Sequence, residues 1–176
     1  MKYFFYILFC CTSIWSEVKA QLPDQGIFNK ELYAVMLGYP SKFESIKGKE
    51  IDSDYGITDY SCNVKISGAK ETHLWKDEEE NLSKYHFVCT IARGVSLEEA
   101  KKLYKQWQVL LSSATLEGAP LIKVSEKEEK KFIEFKSVFA WKTPTSIATN
   151  YKSFSPTLIM NREMGEKFKV IININP

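Results

Sequence analysis

Tyr85-His-Phe-Val-Cys-Thr-Ile-Ala-Arg-Gly-Val-Ser-Leu-Glu-Glu-Ala-Lys-Lys-Leu-Tyr-Lys-Gln-Trp-Gln-Val-Leu-Leu-Ser-Ser113 changes its hydrophobic period halfway along. In the first part Tyr85, Phe87, Cys89 and Ile91 alternate with His86, Val88 and Thr90. A period of two predicts a half-buried strand. From Ser96 the period lengthens: Leu97, Ala100, Leu103, Tyr104, Trp107, Leu110, Leu111 and Ala114 form one stripe at helical spacing, with Glu98, Lys101, Lys102, Lys105 and Gln108 opposite. Ser96 followed by Glu99 is a capping box that starts this helix. A strand that feeds a one-sided helix implies a sheet with helix packed on one face.

Upstream, Tyr60, Cys62, Val64 and Ile66 alternate with Ser61, Asn63 and Lys65, a second half-buried strand. Antiparallel pairing with Cys62 opposite Cys89 sets Tyr60 against Ile91, Val64 against Phe87 and Ile66 against Tyr85, so every inward residue meets an apolar partner. We read the two strands as neighbours and Cys62–Cys89 as a disulfide, closing a loop of about 27 residues and contributing about 3–4 kcal/mol. The alternative is that Glu71 to Lys76 forms a strand of its own, which would separate the two and make a direct disulfide difficult. Nearer the start, residues 29–37 read as a short helix with Asn29 as N-cap, closed by Gly38-Tyr39-Pro40, and a short turn over 41–46 follows.

Downstream of the long helix lies a looser stretch with Gly118, Pro120 and a charged run from Glu126 to Lys131. A strand follows, with Ile133, Phe135, Phe139 and Trp141 on one face, then a loop over 143–156. A closing hairpin joins 157–161 to 168–174 through Glu163-Met164-Gly165, and Phe168, Val170, Ile172 and Ile174 share a face. The expected fold is α+β: an antiparallel sheet of about five strands, one long amphipathic helix on one face and a short N-terminal helix. No internal repeat or domain boundary shows in the sequence.

The first twenty residues carry Lys2, an apolar run from Tyr3 to Trp15, and Val18-Lys19-Ala20 before Gln21. One positive charge, an apolar run too short to span a bilayer, and small residues before a cut form the secretory pattern. Residues 1–20 are therefore expected to be a signal peptide and 21–176 a single domain, exported to the periplasm or secreted. Lipid attachment at Cys10 or Cys11 is the competing route, disfavoured by the bulky Phe9 before Cys10. No later segment approaches transmembrane length. Cleavage would take Lys2, Lys19 and Glu17 from 24 basic and 22 acidic residues, leaving 22 and 21. That balance gives no support for a nucleic-acid partner. It would also leave two of four cysteines, Cys62 and Cys89, and in an oxidising compartment such a pair is normally joined.

For chemistry the chain offers little. His73 and His86 are its two histidines, neither with a second histidine or a cysteine at metal-ligand spacing, and both read as exposed structural residues. Asp77-Glu78-Glu79-Glu80 lacks the alternation and central glycine of an EF-hand and reads as a solvated turn. No C-x-x-C, G-x-S-x-G or glycine-rich phosphate loop occurs. No catalytic residue, cofactor or metal is therefore expected. Trp141, Tyr151 and Phe154, set among Thr, Ser and Asn, are the candidate ligand contacts, because rigid aromatics among adaptable polar groups bind at low entropic cost.

Phe43-Glu-Ser-Ile-Lys-Gly48 and Ser96-Leu-Glu-Glu-Ala-Lys-Lys-Leu-Tyr104, with the Ala20-Gln21 junction and the Lys/Ile/Phe/Asn-rich composition, give the chain a resemblance to small uncharacterised exported proteins of Bacteroidota-type bacteria. The resemblance implies a periplasmic or secreted address and carries no catalytic residue with it. The expected function is a non-enzymatic binding or interaction module for a protein or small ligand, using the outer sheet face or the 141–156 loop. An extracytoplasmic hydrolase is one alternative. An assembly subunit, adding a strand at an edge formed by Phe168 to Ile174, is the other.

Overall fold

The computed structural model describes residues 22–77, 84–129, 134–142 and 149–176. The expected leader over 1–20, the acidic run beyond Asp77 and residues 143–148 of the expected 143–156 loop lie outside these.

Helix α1 spans Gln25–Gly38 and begins earlier than the sequence reading, because the side chain of Asp24 accepts from the backbone N–H groups of Gly26 and Ile27 at 2.8 and 3.2 Å. Asn29 sits inside the helix, where its side-chain oxygen accepts from Gln25 Nε2 at 2.9 Å. Tyr39–Ser41 then tightens into a 3-10 turn around Pro40. Helix α2 spans Leu97–Ser112, with Ser96 Oγ accepting from the Glu99 N–H as the capping signature requires.

Nine strands complete the described chain: β1 Lys47–Asp54, β2 Ile57–Cys62, β3 Glu71–Asp77, β4 His86–Val95, β5 Thr115–Leu116, β6 Ala119–Glu129, β7 Glu134–Trp141, β8 Thr157–Arg162 and β9 Phe168–Ile174. They form one antiparallel sheet in the order β1-β2-β3-β4-β9-β8-β7-β6-β5. The expected sheet of about five strands, with one long helix and a short N-terminal helix, is thus corrected to a sheet of nine strands with two helices. The strands missed are those without an apolar alternation. β1 is Lys-Gly-Lys-Glu-Ile-Asp-Ser-Asp at the sheet edge and is almost wholly exposed, and the charged end of β6 lies at the other edge. Hydrogen bonding along a ladder is made by the backbone and does not require a buried side chain.

The chain runs the same course twice. A helix followed by a four-strand meander, α1 with β1–β4, is answered by α2 with β6–β9, and the last strands of the two halves pair antiparallel at the middle of the sheet. Strand β9 therefore lies between β4 and β8, so the edge expected from Phe168 to Ile174 is closed to strand addition.

Strand β3 also overturns the disulfide. Cys89 is opposite Thr72 of β3, and Ser61 is opposite His73, which places Cys62 on the other side of Thr72. Two ladder spacings put the cysteines roughly 9–10 Å apart, beyond the 4.4–6.8 Å Cα separation a disulfide spans. Both thiols are free and buried, and burial raises both pKa values above the ordinary thiol range. Alkylation with iodoacetamide, mapped by peptide mass, should modify Cys62 and Cys89 only after unfolding in guanidinium. A two-dalton shift of the peptide pair on reduction would contradict this arrangement.

Both helices lie on one face. Phe28 of α1 meets Trp107 of α2 edge-to-face at 5.8 Å, and Tyr104 of α2 hydrogen-bonds Ser137 of β7 at 2.6 Å. Lys101 lies over the ring of Phe135, and the turns after α1 pack Tyr39 against Phe43 and Phe43 against Phe87. The core between helices and sheet takes the inward set Phe87, Cys89, Leu158, Met160, Ile172 and Ile174.

Candidate functional site

Cross-strand partners share a face, so the register assigns the side of the sheet that the helices leave alone. Trp75 is opposite His86, His73 opposite Val88, Val88 opposite Asn173, Thr90 opposite Ile171, and Arg93 opposite Lys169. Their neighbours Phe87, Cys89 and Ile172 point into the core, so this row points outwards. The two α-helices pack on the opposite face, and Val88 and Thr90 of this row are themselves buried, at 9% and 4% exposed.

The row is not flat. A depression of about 230 Å³ is lined by His73, Trp75, Val88 and Thr90 on one side and by Arg93, Lys169, Ile171 and Asn173 on the other. Irregular register between Thr90 and Ala92, and again between Arg93 and Val95, bends β4 at this point. Gly94 adopts φ +76°, a left-handed conformation suited to glycine. Glu163, in the turn between β8 and β9, holds the bend: its carboxylate accepts from Gly94 N at 3.0 Å and from Arg93 Nε at 3.1 Å. At the other end Trp75 stacks on His86 with centroids 4.0 Å apart and planes 12° apart, and His86 Nδ1 is hydrogen-bonded to the Asn175 side chain at 2.9 Å. The aromatic wall is therefore held in place on both sides.

The polar groups of this face are short of partners. Thr90 is 4% exposed and stands at the centre of the depression. Lys169 has no ion pair among the described residues. The amide oxygens of Asn173, and of Asn161 beside Lys169, are enclosed without a donor. Buried groups are ordinarily satisfied, and an orphan costs about 1–3 kcal/mol. Arg93 and Lys169 also face each other directly, with the Glu163 carboxylate balancing one of the two charges.

The aromatic residues singled out from the sequence lie elsewhere. Trp141 is a core side chain whose indole N–H donates to the Leu116 carbonyl at 3.1 Å. Phe154 is buried edge-to-face against Tyr39 at 5.5 Å. Tyr151 is half-buried and packs its ring on Trp141 at 6.3 Å. The structure gathers the three, but onto the helix side of the sheet, with two of them inside the core. No exposed aromatic patch joins them, since burying large rings removes apolar area from water. The histidines read as structural stand on the outer face, His86 as expected and His73 in β3 rather than in a loop. Thr90, Arg93, Lys169 and Asn173 were not singled out. Their signal was present as the polar phase of the two alternating strands, ordinary until β4 and β9 are known to be neighbours.

Among the described residues no three His, Cys, Asp or Glu side chains are grouped to hold a metal, and no helix is long and apolar enough to cross a membrane. Neither histidine is hydrogen-bonded to a serine or carboxylate among them. Comparison with known proteins returned no matching family model, no matching curated protein and no matching solved structure.

Proposed function

We propose that the chain is an exported, non-enzymatic binding module whose ligand seats on the uncovered face of the sheet, across β3, β4 and β9. The observation that carries this reading is the depression there, with the Thr90 hydroxyl, the Lys169 ammonium and the Asn173 amide gathered over apolar Val88 and Ile171. An apolar floor with a few converging polar groups is the usual character of a ligand site. The leader pattern over residues 1–20 supports the exported address, with cleavage giving a mature N-terminus at Gln21 that terminal sequencing would detect.

Thr90→Tyr fills the depression from its centre without touching the helix side. Compounds found by thermal shift that raise the wild-type melting temperature should lose that effect on the folded Thr90→Tyr protein. Compounds that stabilise both proteins equally would place the binding surface elsewhere and overturn the reading.

A further inference from the structure

We infer that the depression selects a small organic anion, with its carboxylate or phosphate group between Arg93 and Lys169 and a flat or apolar body laid along the strands towards Trp75. The inference rests on the binding reading above and adds the ligand's chemistry and orientation.

Three successive outward rungs of the β4–β9 ladder set the layout: Arg93 with Lys169, Thr90 with Ile171, and Val88 with Asn173. From the first rung to the last is roughly 13 Å. The end at Arg93 and Lys169 is cationic. Glu163 engages Arg93 through Nε, which among the described residues leaves the terminal guanidinium N–H groups and the Lys169 ammonium to meet a ligand. An oxyanion placed there would screen the two facing cations from each other and receive charge-assisted hydrogen bonds. No carboxylate lines the depression, and around its apolar parts it presents the guanidinium, the ammonium and the Thr90 hydroxyl as donors, with the enclosed Asn173 amide oxygen as an acceptor. Two cationic donors and a hydroxyl suit an acceptor-rich ligand.

The remaining surface is of a different kind. Ile171 and Val88 are aliphatic, and Trp75 closes the far end, fixed by its stack on His86. A free inorganic ion would leave that surface wet, whereas an attached ring would cover it. The volume of about 230 Å³ equals roughly seven or eight waters, which admits one ring and its anionic group.

Titration calorimetry at low salt would use four probes: phenyl phosphate, benzoate, inorganic phosphate and the neutral analogue benzamide. Phenyl phosphate or benzoate should bind at least tenfold more tightly than benzamide and than inorganic phosphate. Lys169→Gln should weaken the anionic probe about tenfold, Lys169→Glu should abolish its binding, and Lys169→Arg should retain it. Lys102→Glu on the exposed side of α2 should leave it unchanged. Equal binding of benzamide, or an unchanged affinity in Lys169→Glu with a wild-type melting temperature, would overturn the inference. So would the failure of every anionic probe. If library compounds nevertheless bind and are lost in Thr90→Tyr, the binding module stands and only its anionic ligand falls; if they do not, both fall. Inorganic phosphate matching phenyl phosphate would overturn the assignment of a ring along Ile171 and Val88.

Discussion

Trp107→Ala should unfold this protein at a temperature about 6–20 °C lower, a loss of about 3–5 kcal/mol. Trp107 is 1% exposed and stands where α1, α2 and the sheet come together, with Phe28 edge-on to its ring. Its removal deletes a large apolar surface and leaves a cavity between two helices that cannot close it without moving relative to the strands. Since a domain of this size holds only about 5–15 kcal/mol in reserve, the substitution takes a large fraction of the total. Helix α1 should suffer first, because Phe28 depends on this contact. Amide exchange in residues 25–38 should accelerate before exchange in β4 and β9. Uniform acceleration, or a loss under 1 kcal/mol, would show that Trp107 does not join the two layers.

The second large effect is expected at Ser137, a polar residue placed on the inward face of β7 and wholly buried. Its hydroxyl is shared: Tyr104 Oη lies 2.6 Å away, and Gln108 Nε2 donates to it at 2.8 Å while also donating to Glu126. Burial raises the Tyr104 pKa, with the Ser137 hydrogen bond acting the other way, so the phenol stays protonated and needs a partner in the core. Ser137→Ala should therefore cost about 2–3 kcal/mol, since it orphans groups on α2 rather than merely removing one contact. Tyr104→Phe should cost about 1 kcal/mol, and Ser137→Ala should cost less in that background. Urea denaturation of the two single variants and the double variant measures the coupling. Strict additivity would mean that the two hydroxyls do not support each other.

The network shows what a periodic reading overlooks. Phe135, Phe139 and Trp141 mark the inward face of that strand, and Ser137 between them has the same phase but no hydrophobicity to announce it. Only the approach of Tyr104 and Gln108 from another element gives it a role. The candidate site is the same case on a larger scale. The polar phase of β4 and that of β9 were each legible as outward-facing. That Arg93 stands opposite Lys169 depends on the pairing of two strands more than seventy residues apart.

Local chemistry was enough for much of the rest. The Ser96 cap, the stripe ending at Ala114, the break at Gly38-Tyr39-Pro40 and the closing hairpin are all written in short-range spacing, and the structure has them. The α+β class follows from one-sided strands and one-sided helices, each of which must bury a face. The size of the sheet does not follow, because β1 and the charged end of β6 are held by backbone hydrogen bonds that leave no mark on side-chain periodicity. The cysteines divide along the same line. Their inward phase is a property of the sequence, and both are buried on that face. Whether they meet depended on where residues 71–77 went, and the insertion of β3 between them was decided by cross-strand packing of Leu74 on Tyr60 and Phe87. Which residues point inwards or outwards was thus fixed by order along the chain, and which of them stand together was decided by strand order in the folded sheet.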